Sequence, residues 1–598
     1  MARPRLEGTN YKMSIHVANG HRYASTQPLI VDEVTGRTSN VRVHWGTVDE
    51  NLRFYPGKRF FYASPAERAK FVYPDNWDLG EIDKLSGARG AGRPAYDEED
   101  ANRFYGDVWL LEQVADKTGL RVDLMRVFDR NKELVDDILT LSFYPYLTGN
   151  TYNRLARWQR IEKTPSSREL TPSHITHITQ SITEENRMEL FRHRAARLQK
   201  GELCAVDSTS RSAYGNTLTD VRWGKNKERL PLEQTVETVV YTLDGHMPVY
   251  YRAFPGNIPD SRSVETILTD IRHAGFPSVI LVTDRGYESL QNLERYILAG
   301  QAMIMCVKVR QKLVLEKIDN FGDFGGRPSG MDIDPQSGLY HKQFDLDYAV
   351  RGKGASTSTS DRLKLNLYFD AVRRGTELTA LDINIAMQRE ALQQILDMGA
   401  SLDDDATIKR NYNYFDIDYN ESERTIRGFT LNEKKVDAAQ RTSGFFAIMT
   451  HKLDMDPMTA LDNYALRDEQ EKYFQQMKSQ MNINRQRTWS EEGKNGRHFI
   501  TFVSLVISSY VRHIWKTTVL KDAFSSSLEV LDEMRSIRCI EHRGKAKFIT
   551  PFIGDQVVIC NAFGFNIPEG CAPTYMSKKK AEKKRGRPRK TTDVVKLD

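Results

Sequence analysis

Tyr464 to Lys478 reads YALRDEQEKYFQQMK. The stretch holds no proline or glycine, and its Ala, Leu, Glu, Gln, Lys and Met favour a helix. At about 100° per residue, Tyr464, Arg467, Glu471 and Lys478 fall within about 60° of one another, so they share one narrow face. Leu466, Tyr473, Phe474, Met477 and Met481 group on a second face. That face is predicted to be buried, with the polar quartet at its edge, where a cleft would open. A phenol, a guanidinium, a carboxylate and an ammonium in a row suit a metal ion beside phosphate. Arg and Lys grip phosphate oxygens, Tyr donates a hydrogen bond, and Glu ligates the metal. The same spacing also fits a solvated helix in which Arg467 and Glu471 form an i,i+4 pair. Two aspartates upstream decide between these readings.

LCAVDST is a short apolar run ending in Asp207, and VETVVYTLDGHMPVYYRAF reads as two strands around the hairpin signal Asp244-Gly245. Asp260 and Ser261 are predicted to cap a helix reaching about Ala274. SVILVTD is a second buried strand, ending in Asp284; a helix over Ser289 to Ala299 and the strand AMIMCVKV follow. The result is a mixed α/β sheet with an aspartate at the C-terminal end of two strands. A sheet gathers its strand ends, so Asp207 and Asp284 can be neighbours, and a helix packed on the sheet can add Glu471. Three converging carboxylates raise one another's pKa unless a counter-ion is present. Two divalent metals solve this, since Mg²⁺ takes one or two carboxylates, waters and substrate phosphate oxygens. Such a pair, about 3.5–4 Å apart, serves phosphoryl transfer.

With these residues in place the chain resembles the bacterial insertion-sequence DDE transposases, the hairpin-forming cut-and-paste subclass with a ribonuclease H-like catalytic core. The family's Asp-x-Thr is matched by Asp207-Ser208-Thr209, and its Asp-Arg-Gly-Tyr/Phe by Asp284-Arg285-Gly286-Tyr287. Its Tyr-x2-Arg-x3-Glu-x6-Lys signature is met by Tyr464, Arg467, Glu471 and Lys478, and its Pro-Gly-Asn turn by Pro255-Gly256-Asn257. The likeness runs from residue 105 to 540 or so. The resemblance implies metal-dependent cleavage at the ends of an insertion sequence and strand transfer into target DNA. Asp207, Asp284 and Glu471 are then the catalytic residues and the ligands of two Mg²⁺ ions, for which Mn²⁺ can substitute. Water attack frees a 3′-OH, which attacks the opposite strand to form a hairpin that is reopened and joined to the target. Tyr464, Arg467, Lys478 and Arg285 then contact DNA. The implied partners are double-stranded DNA, as terminal inverted repeats and as target, and a second copy of the chain on that DNA. The implied setting is cytoplasmic and nucleoid-associated. The alternative is a catalytically retired transposase acting as a DNA-binding or architectural protein, whose expected mark is a lost carboxylate; all three are present.

There is one departure from the family. Members of the subclass can trap a flipped base with a tryptophan from the insertion, and residues 285–470 contain no tryptophan. Phe445, Phe446 or a tyrosine offers an alternative stacking face. The same two phenylalanines also fit the core of a strand.

The rest of the chain sets the bounds. At 598 residues it is too long for one core, and 39% hydrophobic with 28% charged residues is ordinary for a globular protein. Phe499 to Trp515 is too short and too polar for a membrane span and reads as a buried helix. Five cysteines without CxxC spacing argue for a reducing cytosol and against structural zinc. Cys204 and Cys306 are predicted as buried strand residues, and His498 as a structural hydrogen-bonding group.

The predicted layout is multidomain α/β. A β-rich unit and linker (1–100) and a helical domain (101–195), which either binds DNA or is simply helical, precede the first part of a ribonuclease H-like core (196–308). A β-rich insertion (309–450) interrupts that core, which resumes over 451–520. A C-terminal region (521–576) and a basic tail (577–598) complete the chain. Between Ser577 and Lys590 nine Lys or Arg face one acid, a net +8 that leaves the remainder at −2 against the overall +6. The tail is therefore a separate electrostatic device. Arg585, Gly586, Arg587, Pro588 and Arg589 resemble an AT-hook, whose arginines lie in the narrow minor groove of A·T tracts; a generic polybasic tail is the other reading.

Overall fold

The fold is taken from a computed structural model of the chain. The described residues are 11–18, 20–27, 29–31, 38–40, 42–57, 59–60, 63–80, 100–213, 217–224, 232–321, 328–350, 359–400, 410–483, 485–542 and 547–572; within 469–477 the backbone is described and the side chains are not. The AT-hook-like residues 585–589 lie outside them. Contacts divide the chain into two units, one of residues 1–103 with 539–550, the other of 104–538 with 551–598.

The first unit holds a four-stranded sheet, Ser14–Ala18, His21–Thr26, Val43–Val48 and Phe54–Pro56. Trp45, Phe54, Phe60, Phe71 and Trp77 form its core.

The second unit is built on one large mixed sheet. Its strands are β1 (Leu203–Ala213), β2 (Gln234–Thr242), β3 (Pro248–Pro255), β4 (Ile280–Thr283), β5 (Ala302–Val307), β6 (Tyr340–Val350), β7 (Thr359–Phe369) and β8 (Phe445–His451). The spatial order is β3-β2-β1-β4-β5-β8-β7-β6, with Asp332–Ile333 on the outer edge. β1, β4 and β5 run parallel, and the other pairs along this order are antiparallel; off it, Arg485–Gln486 pairs parallel with the end of β1. Parallel strands are covered on both faces and read as unbroken apolar runs, as Ile280–Thr283 and Ala302–Val307 do.

The β2–β3 turn contains Asp244 and Gly245, but its left-handed residue is His246 at φ 49°. Gly245 is needed for room instead, since a Cβ there would lie 2.5 Å from Thr242 Oγ1. The helix α1 (Asp260–His273) begins without a side-chain cap, and the Asp260 carboxylate accepts from Ser208 Oγ at 2.6 Å. α2 (Leu290–Ala299) is capped by Ser289, as its sequence suggests.

The segment between β5 and residue 451 adds strands to the main sheet. Its longest element is a helix, α3 (Ala371–Met398), packed on the hairpin Phe415–Asn420 and Thr425–Leu431. β8 inserts between β5 and β7, so the added strands share the core's hydrogen-bond ladder. The helices α4 (Pro457–Gln480) and α5 (Glu491–Thr517) follow. α5 is almost wholly buried along Phe499–Ser509. None of the described helices is long and apolar enough to cross a membrane. Residues 106–195 fold as helices, Gly106–Lys117 through Glu184–Ala195. Helix Lys132–Thr148 and helix Pro172–Ser181 pack on α5.

Candidate active site

The register of β1 and β4 sets the site. Val282 stands opposite Ala205, and Thr283 opposite Val206. One step on, Asp284 leaves β4 beside Asp207 of β1. Side chains alternate across a strand, so both carboxylates emerge on the face that carries Ala205 and Val282. That face is the apolar floor under α4, where Met458, Leu461 and Tyr464 pack against Ala205, Val282, Ile304 and Ile448.

α4 is fastened at both ends of its motif. Tyr464 Oη lies 3.4 Å from Asp284 Oδ1. The Arg467 guanidinium lies 3.9 Å from the same oxygen, 2.9 Å from Asp468 Oδ1, and 5.3 Å from the centre of the Tyr464 ring. About three turns beyond Arg467, Lys478 Nζ donates to Thr209 Oγ1 at 2.9 Å and to Ser210 O at 3.3 Å. Residue 471 is seven positions from each of Tyr464 and Lys478, so its backbone lies midway between the two anchors, about 10 Å along the axis from either. The Glu471 side chain lies outside the described residues.

At the described positions of this helix two motif cations lie deeper, and Leu466 further out, than predicted. Arg467 and Lys478 are 5% and 3% exposed, whereas Leu466, expected inside, is 41% exposed. Arg467 and Lys478 can be buried because the strand-end carboxylate and the hydroxyl and carbonyl of β1 give the cations partners that water would otherwise supply. Met481 is buried as expected.

Asp207 is 8% exposed, while Asp284 is more open and accepts from the backbone N–H of Arg285 at 2.5 Å. Arg285 is exposed at the start of a single helical turn, Arg285–Tyr287. Burial, with Cys306 and Asp284 nearby, pushes the Tyr464 phenol well above its ordinary value, so it stays a hydrogen-bond donor. Tyr287 is fully buried under the carboxylates, and burial beside Asp260 and Asp207 raises its phenol too. Among the described residues no three His, Cys, Asp or Glu side chains gather as a metal site. Two carboxylates do emerge side by side, and such hard oxygen donors fit Mg²⁺ or Mn²⁺.

Asp260 and Thr209 carry parts that the sequence did not assign. Asp260 holds Ser208, next to Asp207, and Thr209 receives Lys478. The signal for both was the polar run Asp207-Ser208-Thr209-Ser210 inside a buried strand. His498 is structural, as expected: its Nδ1 lies 3.2 Å from Glu237 Oε1. Burial would raise the Glu237 carboxyl, but Arg211 and His498 bring it down to about 2. Phe445 is core, packed on Phe369, and Phe446 stacks on Tyr368 with Arg373 above it. Cys204 and Cys306 are buried strand residues.

A profile of the transposase DDE domain matches residues 198–507, more than half of the chain and the whole of the region just described. The chain belongs to the DDE transposase family. The chain is also similar to a solved piggyBac transposase, determined by cryo-EM as a synaptic complex with hairpin DNA, at 10% identity and a TM-score of 0.31 over 79% of this chain and 80% of that one. No curated protein matches.

Proposed function

We propose that the chain is an active, metal-dependent DNA transposase. It cleaves at the ends of an insertion sequence and transfers the freed strand into target DNA, by a cut-and-paste route with a hairpin intermediate. The observation that carries this reading is the pairing of Asp207 with Asp284 under a helix that carries Glu471 between two fastened ends. The sheet order β3-β2-β1-β4-β5, with the first hairpin antiparallel and the last two strands parallel to β1, supports a ribonuclease H-like core.

Asp207, Asp284 and Glu471 hold two Mg²⁺ ions, or Mn²⁺ in their place. Bound there, the metals supply charge stabilisation for the phosphoryl group and lower the pKa of water. The chain's own groups position the DNA. Arg467 and Lys478, desolvated against the sheet, offer preorganised cations to phosphate oxygens. Tyr464 keeps its proton and donates it as a hydrogen bond. Arg285 stands exposed at the mouth of the site. The tail residues Arg585, Gly586, Arg587, Pro588 and Arg589 add an AT-hook-like grip on the minor groove. Two copies act together on paired DNA ends.

Glu471→Gln is the test. It removes the charge and keeps the shape, so cleavage of element-end duplex is abolished while duplex binding persists. Unchanged cleavage in that variant removes Glu471 from the site. A parent protein that binds these ends but nicks none of them in Mg²⁺ or Mn²⁺ favours the retired, architectural reading.

A further inference from the structure

The segment after α4 has no part in the motif chemistry. It reads Arg485-Gln486-Arg487-Thr488-Trp489. Arg485 and Gln486 form a short strand, β9, parallel to β1 beside Ser212 and Ala213. β9, the start of α5 and the turn after helix Lys132–Thr148 enclose a cleft of about 400 Å³. Arg211, Arg485, Arg487 and Arg497 reach its wall, and among the described residues no Asp or Glu lines it.

Two of these arginines lack a carboxylate partner among the described residues. Arg487 donates to the backbone oxygen and Oδ1 of Asn482, at 3.3 and 3.1 Å. The Arg497 guanidinium lies 4.0 Å from the centre of the Tyr152 ring, and its Nε is buried without a hydrogen-bond partner. Burial pushes the Arg497 pKa down, the cost of keeping a cation from water with no anion beside it. Arg211, by contrast, is paired with Glu237.

The cleft and the carboxylates share a strand. Arg211 is four residues beyond Asp207 on the same face of β1, about 13 Å away. Thr209, with Lys478 on it, lies between them. Lys478 and the Glu237-paired Arg211 are buried along this stretch of β1, which leaves Arg487 and Arg497 as the cleft's arginines without a carboxylate partner among the described residues. Trp489 follows Thr488 of the cleft wall, and it is 72% exposed. Its backbone is held, since Thr217 Oγ1 donates to its carbonyl at 2.9 Å and Ser490 caps α5. A fixed backbone carrying a large, open indole beside a basic groove is the composition of a single-strand binding surface. In a duplex the base faces are stacked and closed to such a ring.

We propose that this cleft takes the phosphates of an unpaired DNA strand leaving the carboxylates, and that Trp489 stacks on one of its bases. The inference rests on the DNA-processing function proposed above.

The full-length protein is irradiated with a single strand carrying 5-iododeoxyuridine, then digested with trypsin. The expected crosslink falls on the peptide Thr488–Lys494, which carries Trp489. Trp489→Ala weakens single-strand binding about fivefold or more, and Trp489→Phe restores it to within about twofold. Arg487→Ala also weakens it, and lowers the slope of log affinity against log salt by about one. The basic tail is common to all variants and does not alter their ratios. Crosslinks confined to other peptides, or Trp489→Ala binding within about twofold of the parent, overturn the proposal. Metal-dependent nicking of duplex is scored on the same samples. Nicking by the parent without the Trp489 effect sinks this inference alone, whereas the Trp489 effect without nicking keeps the contact and sinks the transposase activity.

Discussion

Lys478 Nζ donates to Thr209 Oγ1 at 2.9 Å, tying the last motif residue of α4 to the strand residue two places beyond Asp207. The bond is buried at both ends, so it fixes the height of the helix over the carboxylates as well as holding a cation in place. Thr209→Val keeps the shape and removes the acceptor. It is expected to cost about 1–3 kcal/mol, the penalty for a buried donor that loses a partner. Urea denaturation checks this. Thr209→Ser, which keeps the hydroxyl, is expected to recover most of the loss, and equal midpoints for Thr209→Val and the parent would count against the tether.

Arg467 reaches Asp284 and Asp468 together and covers the Tyr464 ring. Lysine is a point charge without the planar fork and cannot do all three. Arg467→Lys is expected to lower the nicking rate on the order of a hundredfold, read in single-turnover assays with saturating DNA. A rate within about twofold of the parent would mean that charge alone suffices there.

A pH effect is expected far from the carboxylates. Asp107 is buried beside Glu162 and Arg535; burial, then Glu162, raises its carboxyl to about 7. A carboxyl raised in the fold favours the protonated native state. Its contribution is whole below the ordinary aspartate value and is lost as pH rises through about 7. Asp107→Asn keeps an acceptor for the N–H of Val108 and cannot ionise. The variant is therefore expected to melt higher than the parent at pH 8, with the difference gone by pH 4. A gap that is the same at both pH values would contradict the assignment.

Gly496 is where α5 meets helix Pro172–Ser181. A Cβ at this position would lie 1.9 Å from the Thr179 carbonyl oxygen, which is backbone and cannot swing away. Gly496→Ala is expected to destabilise by about 1–3 kcal/mol despite alanine's better helix propensity. A rise in the denaturation midpoint would show that the helices separate freely.

Much of the site was legible because its signals are local. Tyr464, Arg467, Glu471 and Lys478 lie on one helical face by spacing alone, and Asp284 closes an apolar run that reads only as a strand; Asp207 was expected at a strand end, but β1 runs on past it to Ala213. The burial of Arg467 and Lys478 was not legible. Hydrophobicity argued for burying Leu466, while Arg467 and Lys478 are buried against Asp284, Thr209 and Ser210, which sit elsewhere in the chain. The placement of β6, β7 and β8 is a similar case. Each looked like a strand, but nothing local says that β8 pairs with β5 rather than closing a sheet of its own. Its unbroken run Phe445–Thr450 hinted at burial on both faces. The cleft at Arg485 to Trp489 was missed because its cations converge from three separate segments.

The central claim is that Asp207, Asp284 and Glu471 share a pair of metal ions. Anomalous diffraction from crystals of the protein soaked in Mn²⁺ tests it directly. Two peaks about 3.5–4 Å apart, bounded by those three carboxylates, are the expected result. Manganese bound only elsewhere, or a Glu471 carboxylate held about 10 Å or more from the two aspartates with metal present, would contradict it.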